Sequence, residues 1–319
     1  MSRIRILAND GIDDTGKAML EAAGFEVVTT NFKADELEAQ LKNFDVITVR
    51  SATQVRQPLI DACPNLKVIG RGGVGMDNID VAYAREKGLA VYNTPAASSR
   101  SVAELVTAHA FTLMRQLHLA NRSMPVTGQT EFAKLKKLCS EGNELLGKTI
   151  GIIGFGRIGQ EVARIALGLG MKVIASDPYV KEATIHIEIH GSAQSIDVPI
   201  ATTDITSLLS QSDIITIHIP KADKPIIGKS ELATLKKGVI LVNTARGGVF
   251  DEDALLEGLQ TGQIGGAGID VFVGEPTPRT DILTHPKISL TPHVGGSTVE
   301  AQENVGRELA GLIIHHFKK

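Results

Sequence analysis

A glycine-rich segment near the centre of the chain constrains its fold more than any other feature. A buried-strand pattern, Thr149–Ile153, leads directly into Gly154-Phe155-Gly156-Arg157-Ile158-Gly159, and a helical apolar pattern follows over 160–169. A second strand pattern, 171–176, ends at Asp177, 18 residues after Gly159. Strand, glycine fingerprint, helix and acidic strand end are typical of a dinucleotide-binding βαβ unit, in which the acid follows by roughly 20 residues.

Each part of this fingerprint has a physical function. Gly154 allows a tight turn, Gly156 lets the backbone approach a pyrophosphate, and Gly159 lets the helix pack closely on the strand. The helix that begins at Arg157 and Ile158 presents free N–H groups and a positive dipole end to phosphates. A carboxylate at Asp177 binds ribose hydroxyls and repels a 2′-phosphate, so the sequence predicts NAD as the cofactor, not NADP.

Length and charge limit the remaining classes of protein. At 319 residues the chain is long enough for two domains, and its net charge of −3 does not favour binding to nucleic acid or an acidic membrane. The sequence has no apolar run of membrane-spanning length and no signal-peptide pattern at Met1. Cys63 and Cys139 have no metal-ligand spacing. We therefore expect a cytoplasmic protein with reduced thiols and no metal site.

Strand and helix patterns alternate on both sides of a break at 93–95, which is a candidate domain boundary. This alternation predicts an α/β fold with two parallel-sheet domains. A long apolar helix over about 102–119 is expected to link them. Alternating residues over 184–190, a turn at 191–194 and a return at 196–200 predict an inserted antiparallel hairpin. Its His186 and His190 would lie about 13 Å apart on one face, too far for a simple metal pair.

Reactive side chains follow three later strand patterns. Arg246 lies after 239–242, Glu275 after 265–271 and His293 after 288–290. Ligands bind at the carboxyl ends of parallel strands, so these side chains are expected to converge. Histidine suits proton transfer at neutral pH, a carboxylate can orient its ring, and arginine can hold an α-carboxylate. Taken singly, each has an ordinary alternative as a surface or loop residue.

Four motifs together resemble the D-2-hydroxyacid dehydrogenase family over nearly all of the chain. They are the fingerprint extended to Gln160, Asn243-Thr244-Ala245-Arg246-Gly247, Asp270-Val271-Phe272 with Glu275-Pro276, and Pro292-His293-Val294-Gly295-Gly296-Ser297-Thr298. The resemblance implies that Arg246 binds substrate and polarises its carbonyl, and that Glu275 pairs with His293, the acid/base. It also implies a set of cofactor contacts: Gly154, Gly156, Arg157, Ile158, Gly159, Asp177, Thr244, Ala245, Asp270, Gly295 and Gly296.

The family resemblance also implies a domain organisation. A Rossmann dinucleotide-binding domain, 98–291, is expected to be inserted into a flavodoxin-like substrate domain formed by 1–97 and 292–319. A homodimer through the cofactor domains is implied as well. The hairpin near 184–200 is longer than the segment expected there, and its role is open.

Within this family, segments 49–53 and 70–78 are most similar to the D-3-phosphoglycerate dehydrogenase branch. They place Arg50 and Arg71 after two strands, beside Gly72 and Gly73, whose backbone N–H groups are expected to help bind a phosphate. The resemblance thus implies oxidation of 3-phospho-D-glycerate to 3-phosphohydroxypyruvate in serine biosynthesis. The chain is expected to be a short form, without the regulatory module of longer members.

Three alternatives remain from sequence. Arg50 and Arg71 could instead be salt-bridged surface residues. The substrate could be glyoxylate, hydroxypyruvate or another 2-keto acid. A third alternative is an NAD-sensing co-regulator that keeps the dehydrogenase fold and acts by binding a partner.

Overall fold

The computed structural model describes residues 3–318, which divide into two compact units. One unit runs up to Ser99 and resumes at Gly296, and the other is Arg100–Gly295. The strands in chain order are β1 Arg5–Ala8, β2 Glu26–Val28, β3 Val46–Val49, β4 Val68–Arg71, β5 Ala90–Asn93, β6 Thr149–Ile153, β7 Lys172–Ser176, β8 Glu182–Glu188, β9 Ser195–Ala201, β10 Ile214–Ile217, β11 Val239–Asn243, β12 Ile264–Ile269 and β13 Ile288–Leu290.

The helices also follow in chain order. They are α1 Asp14–Ala22, α2 Ala34–Leu41, α3 Gln57–Ala62, α4 Val81–Glu86, α5 Ser99–Met114, α6 Leu117–Cys139, α7 Arg157–Gly168, α8 Ile205–Gln211, α9 Lys229–Leu232, α10 Glu252–Thr261, α11 Thr280–Leu283 and α12 Val299–Phe317.

The first unit contains a parallel five-stranded sheet in the order β2-β1-β3-β4-β5, which is the flavodoxin-like order. Alternate strand residues enter two apolar clusters: Leu7 and Ile47 belong to one, and Ile6 and Val46 to the other. Both sheet faces are therefore buried, which explains the nearly continuous apolar runs of these strands. α12 packs closely on α1, since a Cβ added to Gly16 would lie 2.6 Å from the carbonyl oxygen of Gly306.

The second unit contains a parallel six-stranded sheet in the order β13-β12-β11-β10-β6-β7. From β6 the chain adds β7 on one side and then crosses to β10 on the other, so the strand order reverses between β6 and β10. In open α/β sheets, ligands bind at the carboxyl edge beside such a switch point. Both domains are thus parallel α/β folds, as the sequence predicted, and the second has the Rossmann type of sheet.

An antiparallel hairpin, β8 with β9, follows β7 within the second unit. His186 lies opposite Asp197 in the strand register, and its Nδ1 lies 2.6 Å from Asp197 Oδ1. Ile185 and Ile200 join the apolar cluster of Ile150 and Ile152, so one hairpin face is packed against the unit. His190 lies beyond the end of β8 and is exposed.

The single helix predicted over 102–119 is wrong, because the structure has two helices there. α5 ends at Met114 and α6 begins at Leu117, with Gln116 in the left-handed region at φ 53°. A non-glycine residue rarely adopts this conformation, and it turns the chain between the helices. Among residues 3–318, no helix is both long and apolar enough to span a membrane.

The second boundary between the units lies four residues later than the 291–292 expected from sequence. Three successive backbone N–H groups explain its position. Those of His293, Val294 and Gly295 donate to the carbonyl or carboxylate of Asp270, which holds this segment to the second unit.

Candidate active site

The glycine fingerprint lies at the carboxyl end of β6 and turns sharply into α7. Gly154 has φ +89°, and a Cβ added to Gly159 would overlap the carbonyl oxygen of Gly154. A side chain at either position would therefore strain the turn or displace α7. A Cβ on Gly156, by contrast, would meet no atom within 4 Å. The absence of a side chain at Gly156 is therefore not required for packing within the protein, which fits a position kept open for a pyrophosphate.

Asp177, at the end of β7, binds the backbone of this turn. Its Oδ2 accepts the N–H of Phe155 at 2.7 Å, and its Oδ1 accepts those of Tyr179 at 2.8 Å and Val180 at 3.0 Å. Burial opposes ionisation of the carboxyl, but the three N–H donors outweigh it and lower its pKa below the ordinary value. The side chain is thus a carboxylate beside the fingerprint.

The turn after β11 brings Thr244, Ala245 and Arg246 to the same edge of the sheet. Buried Asn243 closes it: its Nδ2 donates to Arg246 O at 2.9 Å, and its Oδ1 accepts Ala245 N at 3.0 Å. A Cβ on Gly247 would overlap the carbonyl oxygen of Phe272, so this glycine lets the turn contact the segment after β12. The buried Thr244 hydroxyl has no hydrogen-bond partner among residues 3–318, and it could bond to a cofactor placed there.

Glu275 connects the segment after β12 to His293. Its Oε1 accepts the N–H of Phe272 at 2.8 Å, and its Oε2 lies 2.8 Å from His293 Nδ1. Two contacts on one carboxylate fix its orientation, and the carboxylate fixes the imidazole ring. The His293 side chain is 50% exposed, so its ring is accessible from solvent. Glu275 and His293 are therefore in contact, although 18 residues separate them in sequence.

Asp270, which is 1% exposed, organises the segment that carries His293. Its Oδ1 accepts from the Thr291 hydroxyl at 2.7 Å and from Val294 N at 2.8 Å, and its Oδ2 accepts from Gly295 N at 2.9 Å. Its backbone oxygen accepts His293 N at 2.8 Å. Gly295 is itself buried and belongs to the second unit, whereas Gly296 belongs to the first.

In the first unit, Arg50 directly follows β3 and Arg71 is the last residue of the neighbouring β4, with Val49 opposite Arg71 in the register. Asp10 holds the loop after β3 by accepting Arg50 N at 2.7 Å. Each arginine side chain lies against one glycine. A Cβ on Gly72 would lie 3.8 Å from Arg50 Cγ, and a Cβ on Gly73 would collide with the Arg71 guanidinium. The Arg50 side chain is exposed and that of Arg71 is half-buried.

The expectation that Gly72 and Gly73 offer their N–H groups to a phosphate is wrong. Gly72 N donates to Val49 O at 2.9 Å, and Gly73 N donates to Thr94 Oγ1 at 2.7 Å. Both donors are already used within the unit. Gly73 instead makes room for the Arg71 guanidinium, with which a Cβ at this position would collide.

Two histidines of the second unit, the partly buried His218 and the buried His109, were not predicted. His218 follows β10 at the switch point, where its carbonyl oxygen lies against Gly154, and its Nε2 is 3.0 Å from Thr216 Oγ1. Burial lowers its pKa to about 3, so the ring is neutral. His109 lies on α5 behind the His293 segment. A polar residue at the end of an apolar strand was the available signal for His218, whereas His109 occupies an otherwise apolar helical face.

Comparison with known proteins supports the family. Residues 107–295 match the family model for the D-isomer specific 2-hydroxyacid dehydrogenase NAD binding domain. The chain is 42% identical to hydroxypyruvate reductase of Thermotoga maritima, covering 98% of both chains, and 41% identical to D-3-phosphoglycerate dehydrogenase of Methanocaldococcus jannaschii, covering 97% of this chain and 57% of that one. It spans little more than half the length of the D-3-phosphoglycerate dehydrogenases it matches.

Solved structures give the same result. A glyoxylate reductase from Paecilomyes thermophila superposes with a TM-score of 0.80 at 27% identity, covering 100% of this chain and 95% of that one. The NAD complex of formate dehydrogenase from Staphylococcus aureus superposes with a TM-score of 0.77 at 29% identity, covering 99% and 96%. The chain belongs to the D-isomer specific 2-hydroxyacid dehydrogenase family. Its cofactor is NAD, and its second unit contains the NAD-binding domain.

Proposed function

We propose that the protein catalyses NAD-dependent oxidation of 3-phospho-D-glycerate to 3-phosphohydroxypyruvate, a reaction of serine biosynthesis. The observation that carries the choice of substrate is the pair Arg50 and Arg71, which lie at the carboxyl ends of neighbouring strands of the first unit. Guanidinium groups bind phosphate through charge-assisted, often bidentate hydrogen bonds. Gly73 supports this role by leaving room for the Arg71 side chain.

In this proposal, the proton and the hydride leave the substrate separately. Bound NAD supplies the hydride acceptor. His293 takes the hydroxyl proton through Nε2, because Nδ1 faces the Glu275 carboxylate at 2.8 Å. Glu275 fixes the ring and stabilises the imidazolium that forms. Arg246 holds the α-carboxylate and polarises the C2 oxygen as it becomes a carbonyl.

We assign the cofactor contacts by position along the carboxyl edge of the second sheet. Gly154, Gly156 and Gly159 shape the turn, and the first-turn N–H groups at Arg157 and Ile158 meet the pyrophosphate. Asp177 binds the ribose hydroxyls. Thr244 and Ala245 line the nicotinamide half, and Asp270 meets its amide. Gly295 and Gly296 are the remaining residues that we assign to cofactor binding.

Hydroxypyruvate reduction is the second candidate. It is favoured by the 42% identity to the Thermotoga maritima hydroxypyruvate reductase over 98% of both chains. The two candidates share the chemistry at His293 and differ in whether a phosphate is bound. The discriminating groups are therefore Arg50 and Arg71.

The test compares hydroxypyruvate with 3-phosphohydroxypyruvate, each reduced with NADH and followed at the nicotinamide absorbance. We expect Arg50→Ala and Arg71→Ala each to raise KM for the phosphorylated substrate at least about tenfold, because a hydrogen bond to a charged group contributes about 1.5–3 kcal/mol. KM for hydroxypyruvate should stay within about twofold. Arg85→Ala, an exposed arginine on α4, is the matched control and should change neither value.

Equal losses on both substrates, or none, would contradict the phosphate assignment and favour hydroxypyruvate. If the wild-type protein binds NADH but reduces neither substrate nor any other 2-keto acid, the dehydrogenase proposal fails and an NAD-sensing role gains support.

We also propose a cytoplasmic homodimer. Met124, Val126 and Phe132 are exposed apolar side chains on α6, as expected for a helix that packs against a second copy. Cys63 and Cys139 are free thiols, which suits a reducing compartment. Sedimentation equilibrium of the wild-type protein and of Phe132→Glu tests the dimer. A monomeric wild-type protein would contradict it.

A further inference from the structure

A buried chain of hydrogen bonds connects helix α5 to the segment that carries His293. His109, 2% exposed, occupies the centre of this chain. Its Nδ1 lies 2.9 Å from Ser289 Oγ, and its Nε2 lies 3.1 Å from Thr291 Oγ1. Gly268 makes room for it, since a Cβ added there would lie 2.7 Å from the Cβ of His109. All of these residues belong to the second unit.

The acceptor at the end of the chain determines the direction of every hydrogen bond. The Asp270 carboxylate only accepts, so the Thr291 hydroxyl donates its one proton to Oδ1 at 2.7 Å. Thr291 Oγ1 must then accept from Nε2–H of His109. Burial lowers the pKa of His109 to about 4 despite the opposing charge of Asp270, so the ring is neutral and carries one proton. Nδ1 is therefore bare and accepts the Ser289 hydroxyl.

Asp270 connects this chain of hydrogen bonds to the segment that carries His293. Its carboxylate and carbonyl accept the N–H groups of three successive residues, beginning with His293. His293 has φ 55°, a left-handed conformation that is unfavourable for a non-glycine residue and persists only when its surroundings impose it. Ser101 of α5 adds a second restraint by donating to Gly295 O at 2.7 Å.

We infer that His109 is a positioning residue for the reaction. Through Thr291 and Asp270 it fixes the backbone from which His293 reaches the substrate, and it touches neither substrate nor cofactor. This inference rests on the proposed role of His293 as acid/base.

The first experiment measures kcat and KM for His109→Leu, Thr291→Val and the double variant, with NADH and the preferred keto acid. Each single variant should lower kcat about tenfold, equivalent to about 1.4 kcal/mol in the barrier, with KM within about threefold. Because both substitutions break one chain, the double variant should also lose about tenfold. Independent effects would multiply to about a hundredfold.

Conservative variants separate positioning from simple packing. His109→Gln keeps an N–H that can reach Thr291, and Thr291→Ser keeps the hydroxyl, so both should recover kcat to within about threefold of wild type. Unchanged kcat in His109→Leu, multiplicative losses in the double variant, or failure of Gln and Ser to restore kcat would each overturn the inference.

A second measurement does not depend on turnover. The ring ¹⁵N shifts of the wild-type protein, with His109→Gln used for assignment, should show protonated Nε2 and bare Nδ1 between pH 6 and 8. The opposite tautomer, or a titrating ring, would overturn the inference even in an active enzyme. If the wild-type protein shows this tautomer but reduces no keto acid, the proposed function fails while the hydrogen-bond chain stands.

Discussion

Replacement of Asp177 should affect both the stability of the NAD-binding unit and its choice of cofactor. The carboxylate accepts three backbone N–H groups at 2.7–3.0 Å, from Phe155, Tyr179 and Val180. At about 1 kcal/mol for each partly exposed bond, Asp177→Ala should lose about 3 kcal/mol of unfolding free energy. For a unit of this size, that lowers Tm by about 6–12 °C.

Asp177→Asn separates the two effects. Its one amide oxygen can still accept from Tyr179 and Val180, but its NH₂ then faces the N–H of Phe155, so about 1–2 kcal/mol should be lost. Removal of the charge should weaken NADH binding at least about tenfold, because no carboxylate remains to bind the ribose hydroxyls. It should also reduce the ratio of NADH affinity to NADPH affinity, because no carboxylate remains to repel a 2′-phosphate.

The assay combines a melting scan with titration of NADH and NADPH by nicotinamide fluorescence. Asp213→Asn is the matched control. Its carboxylate accepts Thr149 N at 2.8 Å and pairs with Lys236, but it precedes β10 and lies at the opposite, amino edge of the sheet. Asp213→Asn should lower Tm and leave the NADH:NADPH ratio unchanged. An unchanged ratio of NADH to NADPH affinity in Asp177→Asn would refute the assignment of Asp177 to the ribose hydroxyls. An unchanged Tm in Asp177→Ala would refute the stabilising role of its hydrogen bonds to the backbone.

Three further outcomes are expected. Glu275→Gln should lower kcat about tenfold to a hundredfold with little change in NADH affinity, because the amide cannot stabilise the His293 imidazolium; an unchanged kcat in stopped-flow measurements would contradict the pairing. The folded-state pKa values of His218 and His109 are depressed to about 3 and about 4, so unfolding takes up protons below the ordinary pKa of 6.5. The contribution of these histidines to stability is complete above pH 6.5 and decreases as the pH is lowered, by about 2 kcal/mol for each histidine at pH 5. A Tm that does not change between pH 7 and pH 5 would contradict this expectation. Gly159→Ala should reduce NADH affinity and Tm together, because the added Cβ would overlap the preceding turn. A variant whose Tm equals that of the wild-type protein in scanning calorimetry would refute the close packing.

Much of the fold could be predicted because its signals are local. Apolar runs such as Ile214–Ile217 and Val239–Asn243 indicated strands buried on both faces, and the fingerprint indicated its own turn and helix. The break between α5 and α6 was missed because the apolar pattern continues across it, whereas the left-handed conformation of Gln116 has no composition signal. The N–H groups of Gly72 and Gly73 were misjudged for a related reason: their acceptors, Thr94 and Val49, come from other parts of the chain.

The sequence by itself determined the class of fold, the dinucleotide site and the three strand ends that carry Arg246, Glu275 and His293, because strand ends of a parallel sheet share one edge. Only the tertiary structure decided how these groups are held. The contact between Glu275 and His293, the bond from Asp177 to the fingerprint turn, and the chain from His109 to Asp270 join residues 18 to more than 160 positions apart. Such bonds depend on the packed backbone, which fixes direction and distance that no local pattern encodes.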